Sequence, residues 1–446
     1  MNATFARTIL RLGTANVVLL LAQSGTILAL GALSDSTGLG IFFLGQTVAQ
    51  LVAAFATSRL DCAFPAAATR RELVALLLLA SASIAVFLLP SLGAIVFLGD
   101  HGLFGLQALT ALAVASAVAL IAIAAFQQLG RYWAIRQNQL SRIEHATYSR
   151  AGLLLILRLG VIAAIVAKQV HGRSLGAALL LVEIASYLPA IWTLLPQASL
   201  AELRDAMNLD LLGEALRRNW VFPVLEMPST AIGSAILSGP IFLVTQFFGL
   251  TATASFGLAY RAMAVPIGQL ALAVADVMQA RHSEWLLLGR FNEMKRMFYR
   301  SSALFAVVGF LGCLAAYLLS RMLPFIPLGG KLGAAAQLVV VLSPWIALNV
   351  VVNANSRLIP LLKRIDLKLI YDALSGVFLL AAWLAERAMH FGLSGFVAVM
   401  AAGQSLAYVA YWLIIRYALV SASKRSKTAT TESGAILFES VREPLK

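Results

Sequence analysis

Eight charged side chains interrupt otherwise apolar stretches of this sequence: Arg59, Asp61, Arg158, Glu183, Glu226, Arg261, Asp276 and Arg357. An ionised group in hydrocarbon is costly, and such residues usually face a bundle interior and mark function. Guanidinium groups recognise carboxylate or phosphate through bidentate, charge-assisted hydrogen bonds, so Arg261, Arg158, Arg357 and Arg59 are candidates for holding an anion. The acids Asp61, Glu183, Glu226 and Asp276 are candidates for taking up a proton or cation. Four arginines against four acids also allows complete mutual pairing that only holds a bundle together.

Helical geometry sorts these residues by face. At about 100° per residue, Asn349, Asn353 and Arg357 fall within about 80° of one another, as do Arg261, Gln269 and Asp276. Gln46, Gln50, Thr57 and Asp61 share a face, while Arg59 lies about 160° from Gln46, so a regular helix cannot aim Arg59 and Asp61 into one cavity. Arg59 stands close enough to a span end to snorkel. The expected site is a hydrated, partly cationic cavity with Gln46, Gln50, Asn349 and Asn353 as polar lining.

Enzyme chemistry finds no support. His101, His145, His171, His282 and His390 form no metal-ligand spacing, so no metal site is expected. No GxSxG elbow or Walker A motif is present, and Gly329-Gly330-Lys331 lacks the upstream Gly and the following Ser or Thr. No cofactor is implied.

The elements that carry these residues follow from composition. The 446 residues are 60% hydrophobic and 12% charged, with a mean hydropathy of +0.86. That leaves too little polar surface for soluble domains, which carry about 25% charged residues. Long unbroken apolar runs such as 73–89 and 108–126 exclude the alternating pattern of an outer-membrane barrel. The sequence predicts an all-α polytopic membrane protein with twelve transmembrane helices. The spans are Leu12–Leu33, Leu39–Phe64, Leu73–Leu98, Leu103–Leu129, Thr147–Ala167, Leu175–Leu195, Trp220–Phe248, Thr253–Ala280, Ser302–Leu323, Leu332–Leu362, Leu369–Ala388 and Leu393–Leu419.

Of the 34 Lys and Arg, 24 fall in the amino terminus, the even-to-odd loops and the tail, and five in the opposite loops. That asymmetry predicts both termini in the cytoplasm, and it accounts for most of the +14 net charge without nucleic acid. Residues 196–219 divide the chain into lobes at 1–195 and 220–420. Ser199 and Glu202 read as a capping box there, and Leu200, Leu203, Met207, Leu211 and Ala215 give the linker an interfacial amphipathic helix. Residues 421–446 turn polar and read as a disordered tail. Pro223, Pro228, Pro240, Pro266, Pro344 and Pro360 place bends in the second half, as a moving gate or a static kink requires. Cys62 and Cys313 lie in apolar segments and predict no disulfide framework.

Four segments stand out: Gly38–Pro65 with its Arg59-Leu60-Asp61 triplet, Arg131–Ile143, the proline-rich Asn219–Gly249, and Ala254–Leu270 with Tyr260, Arg261 and Pro266. They resemble the polysaccharide flippases of the bacterial cell envelope, the Wzx-type translocases of the multidrug/oligosaccharidyl-lipid/polysaccharide exporter superfamily. The resemblance implies two six-helix pseudo-repeat lobes around a central cavity. It implies an undecaprenyl-pyrophosphate-linked oligosaccharide as substrate, flipped from the inner to the outer leaflet of the bacterial inner membrane, with Arg261 on the pyrophosphate. A polysaccharide polymerase and assembly proteins are the implied partners. Two alternatives stand beside it: a cation-coupled multidrug exporter of the same superfamily, and a non-transporting scaffold of a polysaccharide assembly complex.

Overall fold

The computed structural model describes residues 3–67, 69–137, 139–322, 329–362 and 364–440. The chain runs through α1 (Ala3–Leu33), α2 (Ser36–Ala53), α3 (Arg70–Asp100), α4 (Ala111–Arg136), α5 (Leu140–Val166), α6 (Gly172–Leu194), α7 (Leu200–Ala206), α8 (Leu209–Arg218), α9 (Met227–Leu287), α10 (Phe291–Met322), α11 (Gly329–Asn353), α12 (Leu358–Leu361), α13 (Ile365–Met389) and α14 (Gly392–Ser440). Among the described residues, eleven helical stretches are long and apolar enough to cross a bilayer. The protein is an all-α polytopic membrane protein, as composition requires.

The sequence separates spans 7 and 8, which the structure joins in α9. Their division survives as a break at Gly249, whose φ of 76° and ψ of −175° only glycine adopts freely. The helix starts were written in side chains. Asp35 caps α2 at Gly38 N (3.3 Å), Thr69 caps α3 at Glu72 N (3.1 Å) and Thr110 caps α4 at Ala113 N (3.2 Å). Both cysteines are free.

Three expected spans are interrupted. Span 2 does not run as one helix to Phe64: α2 ends at Ala53, Ser58 and Arg59 take left-handed φ of 49° and 58°, and a 3-10 segment covers Leu60–Ala66. Tertiary partners compensate the lost helix bonds. Thr57 Oγ1 donates to Asp61 Oδ1 at 2.5 Å, Gln128 Nε2 donates to Asp61 Oδ2 at 2.6 Å, and Ser83 Oγ donates to Ala56 O at 2.8 Å. Span 4 begins later than expected, at Ala111, because Gly102, Phe104 and Gly105 have positive φ. Span 10 stops at Asn353. The buried Asn355 side chain turns back on Val351 O (3.3 Å) and accepts from Ser301 Oγ (3.1 Å), competing with the helix ladder. Arg357 consequently sits in the turn between α11 and α12, outside the helix used to aim it.

The capping box forms: Ser199 Oγ accepts from Glu202 N at 3.2 Å and Glu202 Oε2 accepts from Ser199 N at 2.8 Å. The linker is two helices, though, because Asn208 caps a second one through Asp210 N (2.9 Å). Arg70 Nε reaches Glu202 Oε1 at 3.0 Å. That bond from Arg70, helped by the Ser199 amide, holds the Glu202 carboxyl down at about 2, so the contact persists well into acid and is lost only as pH falls through that value. At the other terminus α14 continues past Val420 to Ser440. The polarity change there ends the apolar span, but no Gly or Pro interrupts the backbone between Val420 and Gly434.

By contacts the chain forms two compact units. The first is Met1–Pro266 with Met322–Leu338 and Glu386–Gly395; the second is Ile267–Arg321, Val339–Ala385 and Phe396–Lys446. Within the first unit, α6 packs against α2, α4 and α5, α1 lies on α5, and α7 and α8 lie on α3. In lipid, close backbone approach replaces hydrophobic burial as the packing force. A Cβ on Gly176 would stand 2.7 Å from Gly38 O, so α2 and α6 cross there backbone to backbone. Gly176→Ala is expected to cost about 1–3 kcal/mol by overpacking. Gly152→Ala, which meets nothing within 4 Å, is expected to leave stability unchanged or slightly raised. Thermal unfolding in detergent, run side by side, checks the contrast; equal midpoints would refute the close crossing.

Candidate functional site

One cavity of about 290 Å³ opens among α1, α2, α5 and α9 of the first unit. Its walls include Gln23, Ser24, Gln46, Gln50, Arg158, Ser234, Ser238, Tyr260 and Arg261. Four of the residues expected at the site from sequence (Gln46, Gln50, Arg158 and Arg261) therefore meet in one place.

The surrounding helices explain their placement. On α5, Arg150 and Arg158 stand eight residues apart, about 80° round the helix axis, and so reach one neighbour. That neighbour is Glu183 of α6, which is 1% exposed. Arg150 Nη2 donates to Glu183 Oε1 at 3.0 Å and Arg158 Nη2 donates to Glu183 Oε2 at 2.9 Å. Arg158 spends its remaining Nη1 donors on Gln23 O and Thr26 Oγ1, both at 2.9 Å. The Arg150 guanidinium carbon lies 3.5 Å from the Tyr187 ring centroid, and its Nε has no hydrogen-bond partner.

Arg261 on α9 is held differently. It donates through Nη1 to Gln46 Oε1 and packs over Phe43, its guanidinium carbon 4.9 Å from that ring centroid. Arg158 and Arg261 flank the Phe42 ring, at 5.9 and 5.8 Å. Among the described residues, no carboxylate lies within 4.0 Å of Arg261. The cluster thus sets three guanidiniums against one carboxylate, and Glu183 is already shared by two of them. Burying unbalanced charge costs stability, while cation faces on aromatic rings recover part of it. An unbalanced, water-accessible cationic pocket is chemically suited to an anion with several acceptor oxygens.

The other expected residues are elsewhere. Asp61 is fully buried between Thr57 and Gln128, because the chain leaves helical geometry after Ala53. Arg59 pairs with Glu226 at 3.8 Å; Glu226 closes a π-turn at Phe222–Glu226. Asn349, Asn353 and Arg357 belong to the second unit. There Asn353 Nδ2 donates to Asn349 Oδ1, and Asn349 Nδ2 donates to Tyr408 OH at 2.6 Å. The side chain of Asp276 lies outside the described residues.

Sequence reasoning missed Arg150. The orientation count takes it as one of the 24 basic residues of the amino terminus, even-to-odd loops and tail, yet its side chain is 10% exposed. The signal was the eight-residue spacing to Arg158 on one helix face. Thr26, Ser234 and Ser238 were also missed; the last two are four residues apart, one turn of α9.

No protein-family model and no curated protein matches the sequence. Solved structures do match. The lipid II flippase MurJ, in an inward closed conformation, aligns over 94% of this chain and 90% of its own with a TM-score of 0.66 at 10% identity. An inward-facing multidrug resistance MATE family transporter of the MOP superfamily aligns over 93% and 95% with a TM-score of 0.52 at 17% identity. This chain has their fold. A third match is a MOP superfamily transporter from Pyrococcus furiosus, described as having a binding pocket of reverse polarity. It aligns over 93% of this chain and 96% of its own, with a TM-score of 0.51 and 17% identity. Identities this low establish architecture and leave the substrate to the chemistry of the site.

Proposed function

We propose that this protein is a flippase for an anionic, lipid-linked oligosaccharide, with an undecaprenyl-pyrophosphate carrier as its substrate class. The observation that carries this reading is the excess of guanidinium in the cavity, above all Arg261, which among the described residues donates to a neutral partner, Gln46. A pyrophosphate diester carries about two negative charges, and bidentate guanidinium contacts match its oxygens. The cavity of about 290 Å³ stands at the lower end of ligand sites. It takes the charged headgroup, while the prenyl tail stays in lipid and the sugars extend beyond.

Gln46, Gln50, Gln23, Ser234 and Ser238 supply neutral hydrogen bonds around the anion. Alternating access between two six-helix lobes, 1–195 and 220–420, then carries the headgroup outward. With the cytoplasm negative, two outward-moving charges gain roughly 5 kcal/mol per 100 mV. The bacterial inner membrane, with both termini cytoplasmic, is the setting this reading requires. The same pocket disfavours an organic cation, because a third guanidinium repels it.

The test uses a deletion strain whose lipid-linked oligosaccharides are extracted after labelling with a membrane-impermeant probe. Accumulation on the cytoplasmic face, reversed by the wild-type gene, is the expected result. Normal outward display, with new sensitivity to cationic drugs, would replace this reading with the multidrug exporter.

A further inference from the structure

Helices α3 and α4 carry a second concavity, of about 710 Å³, remote in sequence from the cavity arginines. One wall is Leu88, Leu92, Val96 and Gly99 of α3; the other is Ala115, Ala119 and Ala122 of α4. These positions recur at three- and four-residue steps, so each helix turns one face to the furrow. Leucine and valine side chains of α3 face a wall of alanines with Val114 and Val118 on α4, and the pair leaves an apolar groove instead of a closed seam. Within a bilayer such a groove is covered by hydrocarbon.

One end of the groove is polar. Asp100 and Gln107 line it, and both are exposed. Asp100 is the last residue of α3, where the final carbonyls add negative potential. Residues 72–130 contain no Lys or Arg, in a chain that has 34. The arginines of these two helices, Arg70, Arg71, Arg131 and Arg136, stand at the ends far from Asp100. The His101 ring is held by Phe97: its Nδ1 is bonded to Phe97 O at 2.8 Å and its ring lies 4.2 Å from that of Phe97.

We propose that this groove binds a phospholipid with a primary ammonium headgroup, of the phosphatidylethanolamine class. One acyl chain lies along the furrow. The ammonium donates to the Asp100 carboxylate and to the Gln107 amide oxygen. A phosphatidylglycerol headgroup would bring its charge against Asp100, and a choline headgroup has no N–H to donate.

The proposal is independent of the flippase reading, because it rests on different residues and is read by lipid retention instead of transport. The full-length protein in mixed-lipid nanodiscs is released into detergent, and co-purifying lipids of identical acyl chains are counted by native mass spectrometry. Phosphatidylethanolamine is expected to be retained roughly fivefold over phosphatidylglycerol, the selectivity of one exposed charge pair. Asp100→Asn is expected to remove that preference at an unchanged thermal midpoint, since the side chain is exposed. Ala115→Phe, which fills the furrow, is expected to reduce retention of the ethanolamine lipid and to leave total annular lipid unchanged. Equal retention of the ethanolamine, choline and glycerol lipids, or a preference that survives Asp100→Asn, would overturn the proposal.

Discussion

Arg261→Ala is expected to lower translocation by roughly 30-fold or more while the protein remains inserted and folded. Truncating one partner of a buried charged contact costs about 2–5 kcal/mol of binding, and each 1.4 kcal/mol is about tenfold. Stability should move the other way. Arg261 donates to a neutral amide and has no carboxylate within ion-pair reach among the described residues. Removing it therefore relieves an unbalanced buried charge. Arg158→Ala would be a poorer test, because that side chain also ties α5 to α1 and α6. Arg261→Lys keeps the charge and loses the planar fork, so partial flux is expected. The measurement is the leaflet assay at matched protein level, with thermal unfolding alongside. Wild-type flux from Arg261→Ala would remove this residue from anion binding. Collapse of the protein would instead mean that Arg261 is structural.

The apolar periodicity made the architecture readable, and Gln46, Gln50, Arg158 and Arg261 come to line one cavity because each sits in an unbroken helical stretch. It failed where tertiary hydrogen bonds outcompete the helix ladder. Asp61 was projected along a helix that ends at Ala53, and its partners Thr57 and Gln128 have no periodic signature. Arg357 failed for the same reason, with Asn355 bonding back to its own strand of helix. Arg150 was hidden by a different effect. Orientation rules count basic residues near span ends as loop charges, and nothing in that count distinguishes a solvated arginine from one stacked on Tyr187. The partner Glu183 was flagged as an ion-coupling candidate, but an isolated acid in a span cannot reveal that two arginines occupy its oxygens.

That occupancy gives the second large effect. Glu183→Ala is expected to destabilise the protein by about 3–5 kcal/mol, the cost of leaving buried charge without its partner. Both oxygens are committed, Oε1 to Arg150 and Oε2 to Arg158. Losing the carboxylate leaves two guanidiniums facing each other on α5. Glu183→Gln should be milder, since one amide oxygen still accepts. Replacing Arg150 as well, in Glu183→Ala/Arg150→Met, should recover part of the loss, because it removes one of the two stranded charges and fills the volume. Thermal unfolding of the wild type, Glu183→Ala, Arg150→Met and the double variant, analysed as a double-mutant cycle, measures the coupling directly. Additive losses would show that Glu183 does not hold the arginines. The cycle also bears on coupling. A carboxylate with a guanidinium on each oxygen is already committed to ion pairs in this conformation, which disfavours it as the site of a driving proton or metal cation. Glu183→Gln should therefore leave the pH dependence of transport in place, so that a driving ion has to be sought at other acids.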